Sequence, residues 1–216
     1  MSEIEQRHIK QRAVMRGWLE GRRYFVAADA LEVVFRLETG TRKDGETPKF
    51  HHQLSVARLL TTLEPHFIHP QETIAAAFLH DIIEDHGDVW TQELLADRFG
   101  SVVADAVWLL SKKSPEMTRN YDAYFTGMEG CPIASLVKLA DRAHNLQTMQ
   151  GVFTFPKQRA YLNEVDRWFY PMLKAARRNF PRQYPAYENL KITLRNQCRL
   201  IEFVHKAAAA PAVEIP

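Results

Sequence analysis

Apolar residues recur at steps of three and four along almost the whole chain, the spacing of one face of an α-helix, whereas strand-like alternation is scarce and no Asn-Gly hairpin turn occurs. This predicts an all-α fold. Breakers divide the pattern. Helices are expected over residues 24–38, stopped by Gly40, and from near His52 with Leu54, Ala57, Leu60 and Leu63 on one face. A further helix is expected over residues 71–85, followed by one capped by Thr91 and stopped by Gly100, then helices over 101–110 and 121–128. Pro132 suits the first turn of a long helix reaching Met149, and Pro156 opens an aromatic-rich helix with a kink expected at Pro171. The last helix is expected over 187–206, with "AAAAPAVEIP" as a frayed tail. "TRKDGETPKF" and "SKKSPEMTRN" read as loops, and "EPHFIHP" as a connector.

A chain of 216 residues with 46% hydrophobic and 25% charged residues can bury a real core, and no composition shift divides it. One helical domain over 24–180 is expected, with a helical extension over 1–23 and a terminal helix and tail over 181–216. A net charge of +2 is too small to argue for nucleic acid, although Arg22-Arg23, Arg42-Lys43 and Lys112-Lys113 form local clusters that could meet a small anion. The start "MSEIEQRHIKQRAVMRG" has no apolar signal core, and no apolar run is long enough to cross a membrane. Cys131 and Cys198 make no CxxC pair, so reduced thiols and a cytoplasmic location are expected.

The segment "AAAFLHDIIEDHGD" places His80, Asp81, Glu84 and Asp85 among residues that are apolar on most sides of a helix. Buried carboxylates pair or bind metal. On a continuous helix His80 and Asp81 point about 100° apart, and a cation over the seam could take both. Glu84 and Asp85 follow one turn later, within reach of a water on that cation. The plain alternative is a helix whose C-terminal end is simply wet. Two other segments can supply ligands: "TPKFHHQLSVA" with His51 and His52, and "SLVKLADRAHNLQTM" with Asp141. In the latter, Leu136, Leu139, Ala140, Ala143 and Leu146 make a core face, while Lys138, Asp141, Arg142, Asn145 and Thr148 fall on a second stripe, either ordinary surface or the wall of a pocket. Two histidines and two carboxylates form a borderline-to-hard set suited to Mn²⁺, Fe²⁺ or a similar ion; a structural zinc site would more often use thiolates.

"HDIIED" together with "VKLADRAHNL" and "TRKDGETPKFHH" resembles the HD-domain hydrolases of the RelA/SpoT-homologue group, in order and over about Tyr24 to Met149, with a weaker echo in "NEVDRWFYPML". The resemblance implies an all-α HD domain that uses Mn²⁺ and removes the 3′-diphosphate from guanosine tetra- and pentaphosphate (ppGpp and pppGpp), releasing pyrophosphate. It implies His52, His80, Asp81 and Asp141 as metal ligands, with His51 a neighbour. It also implies Glu84 and Asp85 as the acidic pair that orients the attacking water; on the HDxxED turn we expect Glu84 to act as general base, or to orient the hydroxide, and Asp85 to position Glu84 or a metal-bound water. Arg42 and Lys43 would hold nucleotide and phosphate, and Asn145 and Thr148 the nucleoside. The chain departs from the family pattern at Gln53, where a proline follows the motif histidine, and at Lys49, where an aromatic follows Thr-Pro. Both bear on base choice more than on metal. Too little chain follows Met149 for the family's synthetase domain, so a free-standing small alarmone hydrolase is expected, with a small-molecule nucleotide substrate, no nucleic-acid or membrane partner, and the N-terminal and aromatic C-terminal helices as packing elements or a homodimer surface. Rival readings are an HD phosphohydrolase for another nucleotide (an adenosine alarmone, NADPH, a cyclic dinucleotide or a dNTP), a catalytically silent nucleotide-sensing module, and a helical scaffold. Trp168, Phe169 and Tyr170 read most simply as core.

Overall fold

The computed structural model describes residues 3–114 and 120–209. Helix α1 (Glu3–Gly21) leads through Arg23, in the left-handed region at φ 60°, into α2 (Phe25–Leu37), and α3 spans Phe50–Thr61. A single 3-10 turn at Glu64–His66 interrupts the connector to α4 (Pro70–Leu79). Short α5 (Ile82–His86) is followed by α6 (Gln92–Phe99), α7 (Ser101–Leu110) and α8 (Tyr121–Glu129). Helix α9 (Ala134–Thr148) starts two residues after Pro132; α10 (Phe155–Glu164), α11 (Tyr170–Asn179) and α12 (Tyr184–Ala209) complete the described chain. No strand occurs among the described residues, and no helix of theirs is long and apolar enough to cross a membrane. Residues 207–209 of the expected tail belong to α12, and the rest of it at 210–216, with residues 115–119 of the expected loop, lies outside the described residues.

Helix α4 is the centre of the packing. Pro70 fits its first turn, where no N–H is needed, and every side chain from Thr73 to Leu79 is buried. Three consecutive alanines let neighbouring helices approach closely, and α4 packs against α2, α3, α7 and α9. Burial of Ile74, Phe78 and Leu79 contributes on the order of 1.5–3 kcal/mol each. Thr91 caps α6 as expected, its Oγ1 accepting from the Leu94 N–H at 3.3 Å, and Gly100, at φ +88°, ends it.

Two expected continuous helices are interrupted. The helix predicted over 71–85 breaks at His80–Asp81, where Asp81 takes φ −100°, ψ −2° before α5 begins. The break accommodates two adjacent polar side chains that must reach one place: on an unbroken helix they diverge, whereas here His80 Nε2 lies 3.1 Å from Asp81 Oδ2. The second interruption is a π-helical turn at Val165–Phe169 between α10 and α11. It precedes the expected kink residue, Pro171, whose ring crowds the preceding turn and whose nitrogen donates nothing. Of the three aromatics expected in the core, Phe169 is buried, while Trp168 and Tyr170 are half-buried; Trp168 stacks on Phe125 at 5.8 Å.

Candidate metal centre and substrate cavity

Three separate helices carry the cluster. His52 sits in the first turn of α3, whose start is fixed by Phe50 packed edge-on against Phe35 of α2 at 5.1 Å. His80 and Asp81 occupy the break after α4, and Asp141 lies in the middle of α9. His52 Nε2 is 3.1 Å from His80 Nε2, 3.2 Å from Asp141 Oδ1 and 3.7 Å from Asp81 Oδ2. His80 Nε2 is 3.8 Å from Asp141 Oδ1. His52, His80 and Asp81 have ligand atoms within 4.8 Å of one another. Thus the four residues expected from distant segments are brought together. His51, one residue away, is not among them: its Nδ1 lies 2.8 Å from His8 Nε2 of α1 and its Nε2 3.3 Å from Ser55 Oγ.

The electrostatics are those of a cation site. Burial opposes charge on His80, yet the Asp81 and Asp141 carboxylates raise its imidazole to about 9. Burial would raise the Asp81 carboxyl, but His80, against the repulsion of Asp141, holds it at about 2. Asp141, also penalised by burial, is held well below the usual carboxylate range by His52 and Lys138. Lys138 is itself nearly buried, its Nζ 3.7 Å from Asp141 Oδ2 and 5.5 Å from the Tyr124 ring. Two imidazole nitrogens face each other at 3.1 Å between two anionic oxygens. That donor set fits a divalent cation, which would replace proton sharing between the rings.

A cavity of about 370 Å³ opens on this cluster, with His52 and Asp81 in its wall. Arg42, Lys43, Asp85, Asn145 and Thr148 line it too, so the expected substrate contacts share one space with the cluster. The loop carrying Arg42 is built locally: Asp44 Oδ1 accepts from the Glu46 and Thr47 N–H groups at 3.0 and 2.9 Å, Gly45 supplies φ +79°, and Thr41 bridges Pro48. Burial lowers the Arg42 pKa against the pull of Asp44, Asp141 and Asp81. Lys43 Nζ lies 5.3 Å from the Phe153 ring centre. Asn145 Nδ2 donates to Asp141 Oδ1 at 2.6 Å, and Thr148 Oγ1 donates to the His144 carbonyl at 3.0 Å.

The acidic pair divides. Asp85 lines the cavity, and its carboxyl is raised by burial and by the charge of Asp81. Glu84 does not line it; its carboxylate accepts from the Lys112 N–H at 2.7 Å and from Lys112 Nζ at 3.0 Å. Sequence reasoning missed His144, buried three residues after Asp141, whose Nδ1 lies 2.8 Å from His52 Nδ1. The motif held the signal, since the i, i+3 spacing puts both side chains on one side of α9. Lys138 was seen only as part of the stripe, not as the partner of Asp141.

Residues 30–115 match the family described as HD domain. The guanosine-3′,5′-bis(diphosphate) 3′-pyrophosphohydrolase of Haemophilus influenzae is 32% identical over 155 residues, which is 68% of this chain and 21% of that protein. The bifunctional (p)ppGpp synthase/hydrolase SpoT of Escherichia coli is 32% identical over 157 residues, 69% of this chain and 20% of its own length. A pyrophosphohydrolase of the same description from Aquifex aeolicus is 34% identical over 136 residues, 61% of this chain and 18% of that protein. The chain therefore spans about a fifth of the length of these curated relatives.

Proposed function

We propose, on the premise that this chain carries an HD domain of the RelA/SpoT-homologue type, that it hydrolyses guanosine 3′,5′-bis(diphosphate) and its pentaphosphate to GDP or GTP and pyrophosphate. The observation that carries the reading is the convergence of His52, His80, Asp81 and Asp141 beside a cavity that has His52 and Asp81 in its wall and also presents Arg42 and Lys43. These four side chains would hold the metal, and Mn²⁺ suits a set of two imidazoles and two carboxylates. When bound, such an ion supplies Lewis acidity toward a phosphoryl group and lowers the pKa of water.

The chain's own residues supply the rest. Arg42 and Lys43 neutralise the charge of the 3′-diphosphate and hold it against the cluster. Asn145 donates to Asp141, which leaves its carbonyl oxygen to accept from a ribose hydroxyl, and Thr148 stands one turn further along α9 to bound the nucleoside. Asp85, the carboxylate that opens on the cavity, takes the proton from the attacking water on one of its Oδ atoms. Glu84, tied to Lys112, positions the turn that carries Asp85, a division of labour that reverses the order expected from the sequence. A cytoplasmic setting agrees with two unpaired cysteines.

A second substrate, a 3′-diphosphorylated adenosine nucleotide, is compatible with one observation. Gln53 lines the cavity with its Oε1 buried and without a hydrogen-bond partner, and a side-chain amide can serve either purine. The test is pyrophosphate release from guanosine and adenosine 3′-diphosphates, with Mn²⁺ and after chelation. Metal-dependent release from the guanosine compounds is expected; tight binding without release, in metal-loaded protein, would replace the hydrolase with a sensing module.

A further inference from the structure

His52 uses its two ring nitrogens for two different neighbours. Nε2 points into the cluster, 3.1 Å from His80 Nε2 and 3.2 Å from Asp141 Oδ1. Nδ1 lies 2.8 Å from Nδ1 of His144, which is 6% exposed and offered by the same helix that presents Asp141. Two ring nitrogens at that distance must divide one proton between them, one as donor and one as lone pair. If His144 Nδ1 is the acceptor, His52 carries its hydrogen on Nδ1 and keeps the Nε2 lone pair facing the cluster. The opposite arrangement puts a hydrogen on His144 Nδ1 and leaves His52 free to protonate Nε2.

The neighbouring ligand shows the same device in a form with only one solution. His80 Nδ1 lies 2.9 Å from the Ala77 carbonyl, which can only accept, so its Nε2 is turned inward. For His52 the equivalent role falls to a side chain, which substitution can change. The His144 ring is backed in turn by His51 at 5.7 Å between centroids, and His51 meets His8 of α1 at 2.8 Å.

We infer that His144 is a positioning residue: it acts through His52, fixing the tautomer and tilt of that ring so that Nε2 can ligate. The inference rests on the metal-centre reading above. Partners of this kind change metal affinity without touching the metal.

The test is calorimetric titration of Mn²⁺ into the full chain, as wild type, His144→Phe and His144→Asn. His144→Phe fills the ring's space but cannot accept; His144→Asn offers an amide oxygen close to the position of Nδ1. Affinity is expected to fall by about 10–100-fold in His144→Phe, and His144→Asn is expected to recover most of the loss. The metal-free melting temperature of His144→Phe should stay near that of the wild type, which separates a role toward His52 from a role in packing. Affinity of His144→Phe within about twofold of wild type overturns the inference, as does His144→Asn binding no better than His144→Phe. Should His144→Phe fail to fold, nitrogen-15 spectra of histidine-labelled wild type loaded with diamagnetic Zn²⁺ decide. A hydrogen on His52 Nδ1 supports the inference and a metal on that nitrogen overturns it. If wild type binds no divalent ion, the metal-centre reading itself fails and takes this inference with it.

Discussion

Asp81 and Asp141 are acidic side chains whose charge is held by imidazoles and, for Asp141, by Lys138. Removing one such carboxylate changes the cluster's charge as well as its ligand count. Asp81→Ala is therefore expected to abolish measurable Mn²⁺ binding by calorimetry and pyrophosphate release together. The two residues that follow should separate. Asp85→Asn is expected to lower kcat by about 10²–10⁴-fold with metal affinity retained, because its carboxylate faces the cavity. Glu84→Gln should cost less, since an amide still accepts from the Lys112 N–H. A larger loss in Glu84→Gln than in Asp85→Asn would assign the proton to Glu84. The candidate ligands were legible in part: metal chemistry restricts residue type, which marks His80, Asp81, Asp141 and the His51-His52 pair, while the choice of His52 came from the family resemblance. The spacing places His144 on the same side of α9 as Asp141, but its pairing with His52, 92 positions away, is visible only as a distance in the fold. The division between Glu84 and Asp85 was equally hidden, since it depends on Lys112, twenty-eight positions from Glu84 in the chain.

At the scale of the element, the two short helices around the cluster differ from the long helix that periodicity predicts. Apolar positions 74, 75, 77, 78, 82 and 83 keep a helical phase across the break, so nothing in the pattern marks His80–Asp81 as a turn. The helices themselves were legible from spacing, and their ends from Thr91, Gly100 and the prolines; the interruptions arise from tertiary demands that local propensity does not encode. Helix α5 ends under close constraint. A Cβ on Gly87 would lie 2.4 Å from the Ile83 carbonyl oxygen and 2.7 Å from Lys113 Nζ, and Lys113 Nζ donates to that same carbonyl at 2.9 Å. Gly87→Ala must push the lysine or the last turn of α5 aside, although its backbone angles suit any residue. We expect a loss of about 1–3 kcal/mol in urea denaturation. Because α5 carries Asp85, kcat should fall as well; an unchanged midpoint would show that the turn absorbs a methyl group freely.

Across the whole molecule, the cluster ties together helices that are far apart in the chain: His52 and His80 are separated by 28 positions, and His52 and His144 by 92. Helices α3, α4 and α9 already share the central core, so the site is assembled by packing. Its cost is a buried carboxylate, a half-buried one and a buried imidazole brought from three directions. A divalent ion that binds the folded chain and not the unfolded one then acts as a cross-link among those helices. At a free concentration of one hundred times its dissociation constant it adds about 2.7 kcal/mol of stability. For a chain of this length that corresponds to about 5–11 °C in melting temperature. Removal of the metal with a chelator should lower the transition by that amount while leaving the helical signal at low temperature intact, since the core of α4 does not depend on the ion. Readdition of Mn²⁺ should restore it, and the Asp81→Ala protein should show no shift in either direction. A wild-type melting curve indifferent to chelation and to added Mn²⁺ would mean that the four side chains meet for packing alone.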